Sequence, residues 1–142
     1  MTVPERSGGP GPSGRALFLF YWLPVLAYVG FIFSLSSIPG AKVPGPFPFM
    51  DKLAHLLEYS LFGLLVGRAI RFTWTGAGRA AMTLGAIGIG AVTGLLDELY
   101  QRGVPGRSSD PYDWLVDVLA VTAAVVLTQV VSAKPLRNRT QE

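Results

Sequence analysis

Four apolar runs divide the chain, at positions 16–35, 51–70, 80–100 and 112–131, each 20 or 21 residues long. At ~1.5 Å rise per residue, each reaches across a hydrocarbon core of roughly 30 Å. The runs are long blocks rather than short alternating stretches, which predicts helices. The expected fold is an all-α integral membrane protein, a four-transmembrane-helix bundle. The opening "MTVPERSGGPGPSG", residues 1–14, is rich in Gly, Pro and Ser without apolar periodicity and reads as a disordered tail. Residues 15–132 then form the membrane domain, and 133–142 a basic C-terminal tail. Arg15 ahead of an apolar run also suits a signal peptide, but twenty apolar residues exceed the usual core of one and "SLSSIPG" is a poor cleavage site. A retained span is expected.

Lys and Arg set the direction. Arg6, Arg15, Arg68, Arg71, Arg79, Lys134, Arg137 and Arg139 fall on one side, and Lys42, Lys52, Arg102 and Arg107 on the other. Eight against four predicts both termini in the cytoplasm and a multi-pass protein of the cell membrane. The acids run the other way: Asp51, Glu58, Asp97, Glu98, Asp110, Asp113 and Asp117 belong to the outer loops or the outer halves of spans two, three and four.

Composition agrees with membrane, since half the residues are hydrophobic, 15% are charged and mean hydropathy is +0.42. A pI near 9.5 raises nucleic acid, but the basic residues flank apolar runs and form no aromatic-interleaved patch, so no nucleic-acid partner is expected. With no cysteine, disulfides, thiolate metal sites and a cysteine nucleophile are excluded.

The second run opens with "DKLAHLLEYS", residues 51–60, dense in groups that lipid rejects. At ~1.5 Å per residue, His55 lies about 6 Å and Glu58 about 10 Å deeper than Asp51. Asp97, Glu98 and Gln101 close span three, while Asp113 and Asp117 open span four, so three helices carry polar groups to one depth. Some have plain structural uses: Asp51, Asp110 and Asp113 suit helix starts, Lys52 and Arg107 suit interfacial anchors, and Tyr59 suits packing. Glu58, His55 and Asp117 resist that account, because a deep acid costs roughly 2.5–3.5 kcal/mol against lipid. They should face one another. Asp51, His55 and Tyr59 share a face at i, i+4, i+8, and Asp97 with Gln101 and Asp113 with Asp117 are i, i+4 pairs. Ala86, Gly90 and Gly94 add a small-residue stripe on span three that lets a neighbouring helix approach.

"VPGPFPFMDKLAH" and "VPGRSSDPYDWLVD" have a common plan, with Val-Pro-Gly followed by a helix that carries Asp and then His or Asp four residues later. If the two hairpins are related, Asp51 corresponds to Asp113 and His55 to Asp117, predicting a pseudo-twofold site along the membrane normal.

Together "SSIP", "DKLAHLLEYSLFGLLVG" and "GLLDELYQRGVPGRSSDPYDWLVDVLA" resemble the VanZ-like family over roughly residues 20–130. The chain has Asp117 where that family often has Asn, and "DVLAVTAA" lacks a glycine often found there. The resemblance implies a small polytopic envelope protein similar to one named for glycopeptide (teicoplanin) resistance. The positions it carries over are Asp51, Lys52, His55, Tyr59, Asp97, Glu98, Gln101, Arg107, Asp110 and Asp113.

Three functions compete. One is an enzyme acting on an outer-leaflet lipid or lipid-linked envelope component, with His55, Asp97, Glu98 and Asp113 as its acid-base group. Its binding residues would be Asp51, Lys52, Tyr59, Gln101, Arg107, Asp110 and Asp117, with Lys52 and Arg107 on a phosphate. The loop serines Ser108 and Ser109 have no identifiable base, so hydrolysis or headgroup transfer without a serine nucleophile is expected. The second is a non-catalytic accessory that binds a lipid, an antibiotic or a membrane partner, such as another helix or a second copy of the chain. The third is a divalent-cation site, which acids with one histidine suit. No fixed ligand spacing such as HExxH is present, so the sequence does not favour a metal and names no cofactor.

Overall fold

The computed structural model describes residues 13–39 and 49–133. The loop containing Lys42, both tails beyond those limits and the first half of the repeated Val-Pro-Gly motif lie outside the described residues.

Four helices, each long and apolar enough to cross a membrane, make up the fold: α1 (Gly14–Ser36), α2 (Met50–Thr73), α3 (Arg79–Gln101) and α4 (Pro111–Ala133). Each expected span is present, one to three residues longer at most ends. Gly14, read from sequence as tail, already belongs to α1, and the Ser13 hydroxyl caps that helix by accepting from the Ala16 N–H at 3.3 Å. No strand occurs among the described residues.

Helix α1 contains one π-helical turn, Phe18–Trp22, immediately ahead of Pro24. Proline has no N–H to return to the carbonyl four residues back. That carbonyl belongs to Phe20, and the Arg68 guanidinium of α2 donates to it at 3.3 Å while lying 4.7 Å over the Tyr21 ring. The Trp22 indole donates to the Thr73 hydroxyl at 2.9 Å, which completes the tie between α1 and α2 at this end.

The core is the α2–α4 seam, with α3 packed on both. A β-carbon added at Gly63 would sit 2.8 Å from the Val121 Cα, so the two backbones touch there and only glycine fits. Gly90 of α3 receives the Val121 side chain in the same way, at 2.8–3.0 Å. Phe62, Val66, Ile70, Val121 and Val125 are fully buried around these contacts. Leu57, Leu84, Leu119 and Val131 point outward, as a helix bundle solvated by lipid requires. The two ends of the bundle differ: Arg68, Arg71 and Arg79 mark one, and the start of α2, the end of α3 and the start of α4 meet at the other.

Candidate functional site

Polar side chains collect at that second end. The link from α3 to α4 turns through Val104–Pro105–Gly106–Arg107, where the Arg107 N–H returns to the Val104 carbonyl at 3.1 Å. Gly106 has φ 77°, and proline then glycine at the two central positions make this a type II turn. It sends Arg107 back over the bundle, where its guanidinium donates to the Leu35 carbonyl of α1 at 3.4 Å.

The link ends on Asp110, which caps α4: its Oδ1 accepts from the Tyr112 N–H at 2.9 Å, with Pro111 in the first helical position. Its other oxygen, Oδ2, accepts from Lys52 Nζ of α2 at 2.8 Å. Lys52 also donates to Asp113 Oδ1 at 2.6 Å, so one ammonium ties the starts of α2 and α4 together. Asp110 lies outside the helices, and its carboxyl is held below the usual carboxylate range by the Lys52 hydrogen bond first and the Tyr112 N–H second. The capping use of Asp110 is therefore real. Lys52, read from sequence as a phosphate holder, is committed to two carboxylates.

One turn deeper on α2, His55 Nδ1 lies 2.9 Å from Asp117 Oδ1 of α4, with both residues buried. A further turn in, the Tyr59 ring runs nearly parallel to the imidazole, 10° apart with centroids 6.3 Å apart. Tyr59 has no exposed surface, and Asp117, Asp97, Glu58 and Glu98 are all within its electrostatic reach. Helix α3 supplies two carboxylates. Asp97 Oδ2 accepts from the Gln101 amide at 2.9 Å, and that amide also donates to the Ser36 hydroxyl of α1 at 3.3 Å. Glu98 Oε2 accepts from the Asp110 N–H at 2.8 Å, which fixes both the loop and the carboxylate.

The convergence of α2, α3 and α4 expected from sequence is therefore present in the geometry. Of the i, i+4, i+8 face, His55 and Tyr59 turn inward while Asp51 stays at the exposed rim, and His55 approaches both Asp113 with Asp51, and Glu98 with Asp117. Close packing at Gly94 contributes, since a β-carbon there would lie 3.0 Å from Asp117 Oδ2 and 3.2 Å from the Trp114 ring. Four residues of this end were not singled out from sequence. Ser36 accepts from Gln101, Tyr28 donates to the Glu58 carbonyl at 3.2 Å, Trp114 donates to the Ala91 carbonyl at 2.9 Å, and Phe49 lines a groove described below. Ser36, Phe49 and Trp114 fall inside the quoted motifs, but nothing in their type or spacing set them apart. The three aromatic residues carried no further signal, because packing and polar use look alike for them.

Five buried oxygen atoms in this cluster have no hydrogen-bond partner: Glu58 Oε1, Tyr59 Oη, Asp97 Oδ1, Glu98 Oε1 and Asp117 Oδ2. Buried polar atoms are ordinarily paired, so these oxygens are open to water, a proton or a ligand.

Beside it, a groove of about 280 Å³ follows the α2–α4 seam on the outside of the bundle, lined by Phe49, Leu53, Leu56, Val116 and Leu119, with Lys52 as its single charged residue. The histidine and carboxylates of the centre offer proton transfer or cation ligation, and the groove offers an apolar surface running up to a charge.

A model of the VanZ/LLP1 family matches residues 14–132. No curated protein and no solved structure gives a significant match.

Proposed function

The chain belongs to the VanZ/LLP1 family, and from that premise we propose that it is a multi-pass cell-membrane protein whose polar centre acts on the headgroup of an outer-leaflet lipid or lipid-linked envelope component. The placement follows the distribution of Lys and Arg, which puts the end rich in Arg68, Arg71 and Arg79 in the cytoplasm and the His55 end outside.

The observation that carries this reading is the apolar groove with Lys52 in its lining, one helical turn from His55. An acyl chain in the groove would bring its headgroup to the ammonium and to the rim of the centre. The His55–Asp117 pair then supplies the base: Asp117 orients the imidazole through Nδ1, leaving Nε2 to take or give a proton during hydrolysis or headgroup transfer.

One observation favours a second reading, recognition without turnover. Lys52 already has two carboxylate partners, so an anionic headgroup must displace Asp110 or Asp113 to reach it. An accessory that engages a lipid or antibiotic at the outer surface would serve glycopeptide resistance as well as an enzyme would.

Mass spectrometry of lipids retained by gently solubilised protein separates the two. For an enzyme, the parent protein converts the enriched lipid on incubation and His55→Gln returns it unchanged; for an accessory, both return it unchanged. A lipid profile identical to that of the detergent extract, for parent and variant alike, would remove the headgroup reading.

A further inference from the structure

We infer that His55, Glu98 and Asp117 hold one divalent transition-metal cation beneath the outer mouth of the bundle. One ligand atom from each can be chosen so that all three lie within 4.8 Å of one another, and all three residues are buried. Tetrahedral ligands about 2.0–2.2 Å from one ion lie roughly 3.3–3.6 Å apart, so closing the trio around an ion takes side-chain shifts of up to about 1.5 Å.

The unpartnered oxygens provide an independent reason. Glu98 Oε1 and Asp117 Oδ2 have no hydrogen-bond partner, although Glu98 and Asp117 are only 4% and 0% exposed. Each of these carboxylates has its other oxygen fixed, Glu98 by the Asp110 N–H and Asp117 by His55. That is how ligating carboxylates are usually oriented, with one oxygen held by the protein and one available. Asp117 Oδ2 is pressed towards α3 at Gly94, the turn before Glu98. Asp97 Oδ1 and Tyr59 Oη, also unpartnered and fully buried, belong to the same cluster.

Charge supports the same conclusion. Glu58, Asp97, Glu98 and Asp117 all lie within electrostatic reach of Tyr59, with His55 and Arg107 the cations acting on Glu58, and buried carboxylates in excess of their partners are heavily penalised. A divalent ion offsets two of those charges. The neighbouring group of Asp51, His55 and Asp113 is the poorer site, because the Lys52 ammonium already occupies Asp113 at 2.6 Å. One imidazole nitrogen with carboxylate oxygens suits Mn²⁺ or Zn²⁺ better than Ca²⁺, which prefers oxygen throughout.

The ion's part in chemistry rests on the headgroup reading and changes it in one respect: with the ion bound, His55 Nε2 would be its ligand instead of the base, and the ion would make an acidic centre attractive to a phosphate; binding of the ion does not rest on that reading. Mn²⁺ alone is therefore the probe. Full-length protein in detergent is stripped with EDTA, dialysed against Mn²⁺ and assayed for bound metal and for thermal midpoint. The expected result is about one ion per chain, a midpoint raised by Mn²⁺ and lowered by EDTA, and affinity at least ~10-fold weaker in Glu98→Gln and Asp117→Asn with helix content retained. Gly30→Ala, on α1 away from the cluster, should bind as the parent does. No Mn²⁺ above the detergent blank would overturn the inference. Undiminished binding in both Glu98→Gln and Asp117→Asn would overturn it too. If either variant fails to fold, the Mn²⁺ shift of the parent's midpoint decides: present, the inference stands; absent, it falls. Lipid turnover by stripped protein that binds no Mn²⁺ would overturn the ion and leave the headgroup reading, whereas Mn²⁺ bound without lipid enrichment would do the reverse.

Discussion

His55 Nδ1 and Asp117 Oδ1 meet at 2.9 Å although 62 residues separate them, joining α2 to α4 where both residues are buried. A deep acid facing lipid costs roughly 2.5–3.5 kcal/mol, and turning it inward onto a partner recovers part of that. The pair is therefore a packing constraint as well as a chemical one: it forms only at the rotation of α2 against α4 that Gly63 permits by letting the two backbones close at Val121 below it.

That closeness predicts opposite behaviour for two glycines. Gly63→Ala puts a methyl group 2.8 Å from the Val121 Cα and should destabilise the bundle by about 1–3 kcal/mol. Gly30→Ala meets nothing within 4 Å and should be neutral or stabilise by up to about 1 kcal/mol. Thermal or denaturant unfolding followed by circular dichroism measures both. Equal midpoints for the two variants would contradict the backbone contact.

At the rim, the Asp110 carboxyl is held below its ordinary range, mainly by Lys52. A group whose folded value is depressed adds stability above its unfolded value, near pH 4, and loses it as pH falls through the folded value. Asp110→Asn should therefore lower the neutral plateau slightly, because the Lys52 pair is partly exposed, and flatten the acid limb below about pH 4 by the same amount. Lys52→Met should flatten the same limb. An acid limb unchanged in both variants would show that the ion pair does not form.

The chain has no cysteine, so single cysteines report its topology directly. A cysteine at Gly103, in the α3–α4 link, should react with a membrane-impermeant maleimide added to intact cells, and one at Gly76, in the α2–α3 link, should react only after permeabilisation. The reverse pattern would place the polar centre on the cytoplasmic side.

The spans were legible because crossing lipid demands some twenty apolar residues in a row, a signal that tertiary contacts rarely disturb. The polar face of α2 was legible for a related reason, since i, i+4 spacing fixes which side chains share a side. Spacing does not fix which helix that side meets. The partnership of His55 with Asp117 rather than with Asp97, and of Lys52 with two carboxylates, depends on interhelical rotation set by Gly63 and Gly90, and Gly63 reads in sequence as an ordinary membrane-helix glycine. The Val-Pro-Gly of the last link was visible as a motif, but its effect, aiming Arg107 at the Leu35 carbonyl, requires α1 to be in place.

The most direct test of the central claim, that ionisable side chains of separate helices are joined inside the bundle, is a double-mutant cycle on unfolding stability with His55→Gln, Asp117→Asn and both together. A joined pair predicts non-additivity, with a coupling of about 0.5–3 kcal/mol. Losses that simply add would mean that the two side chains do not meet.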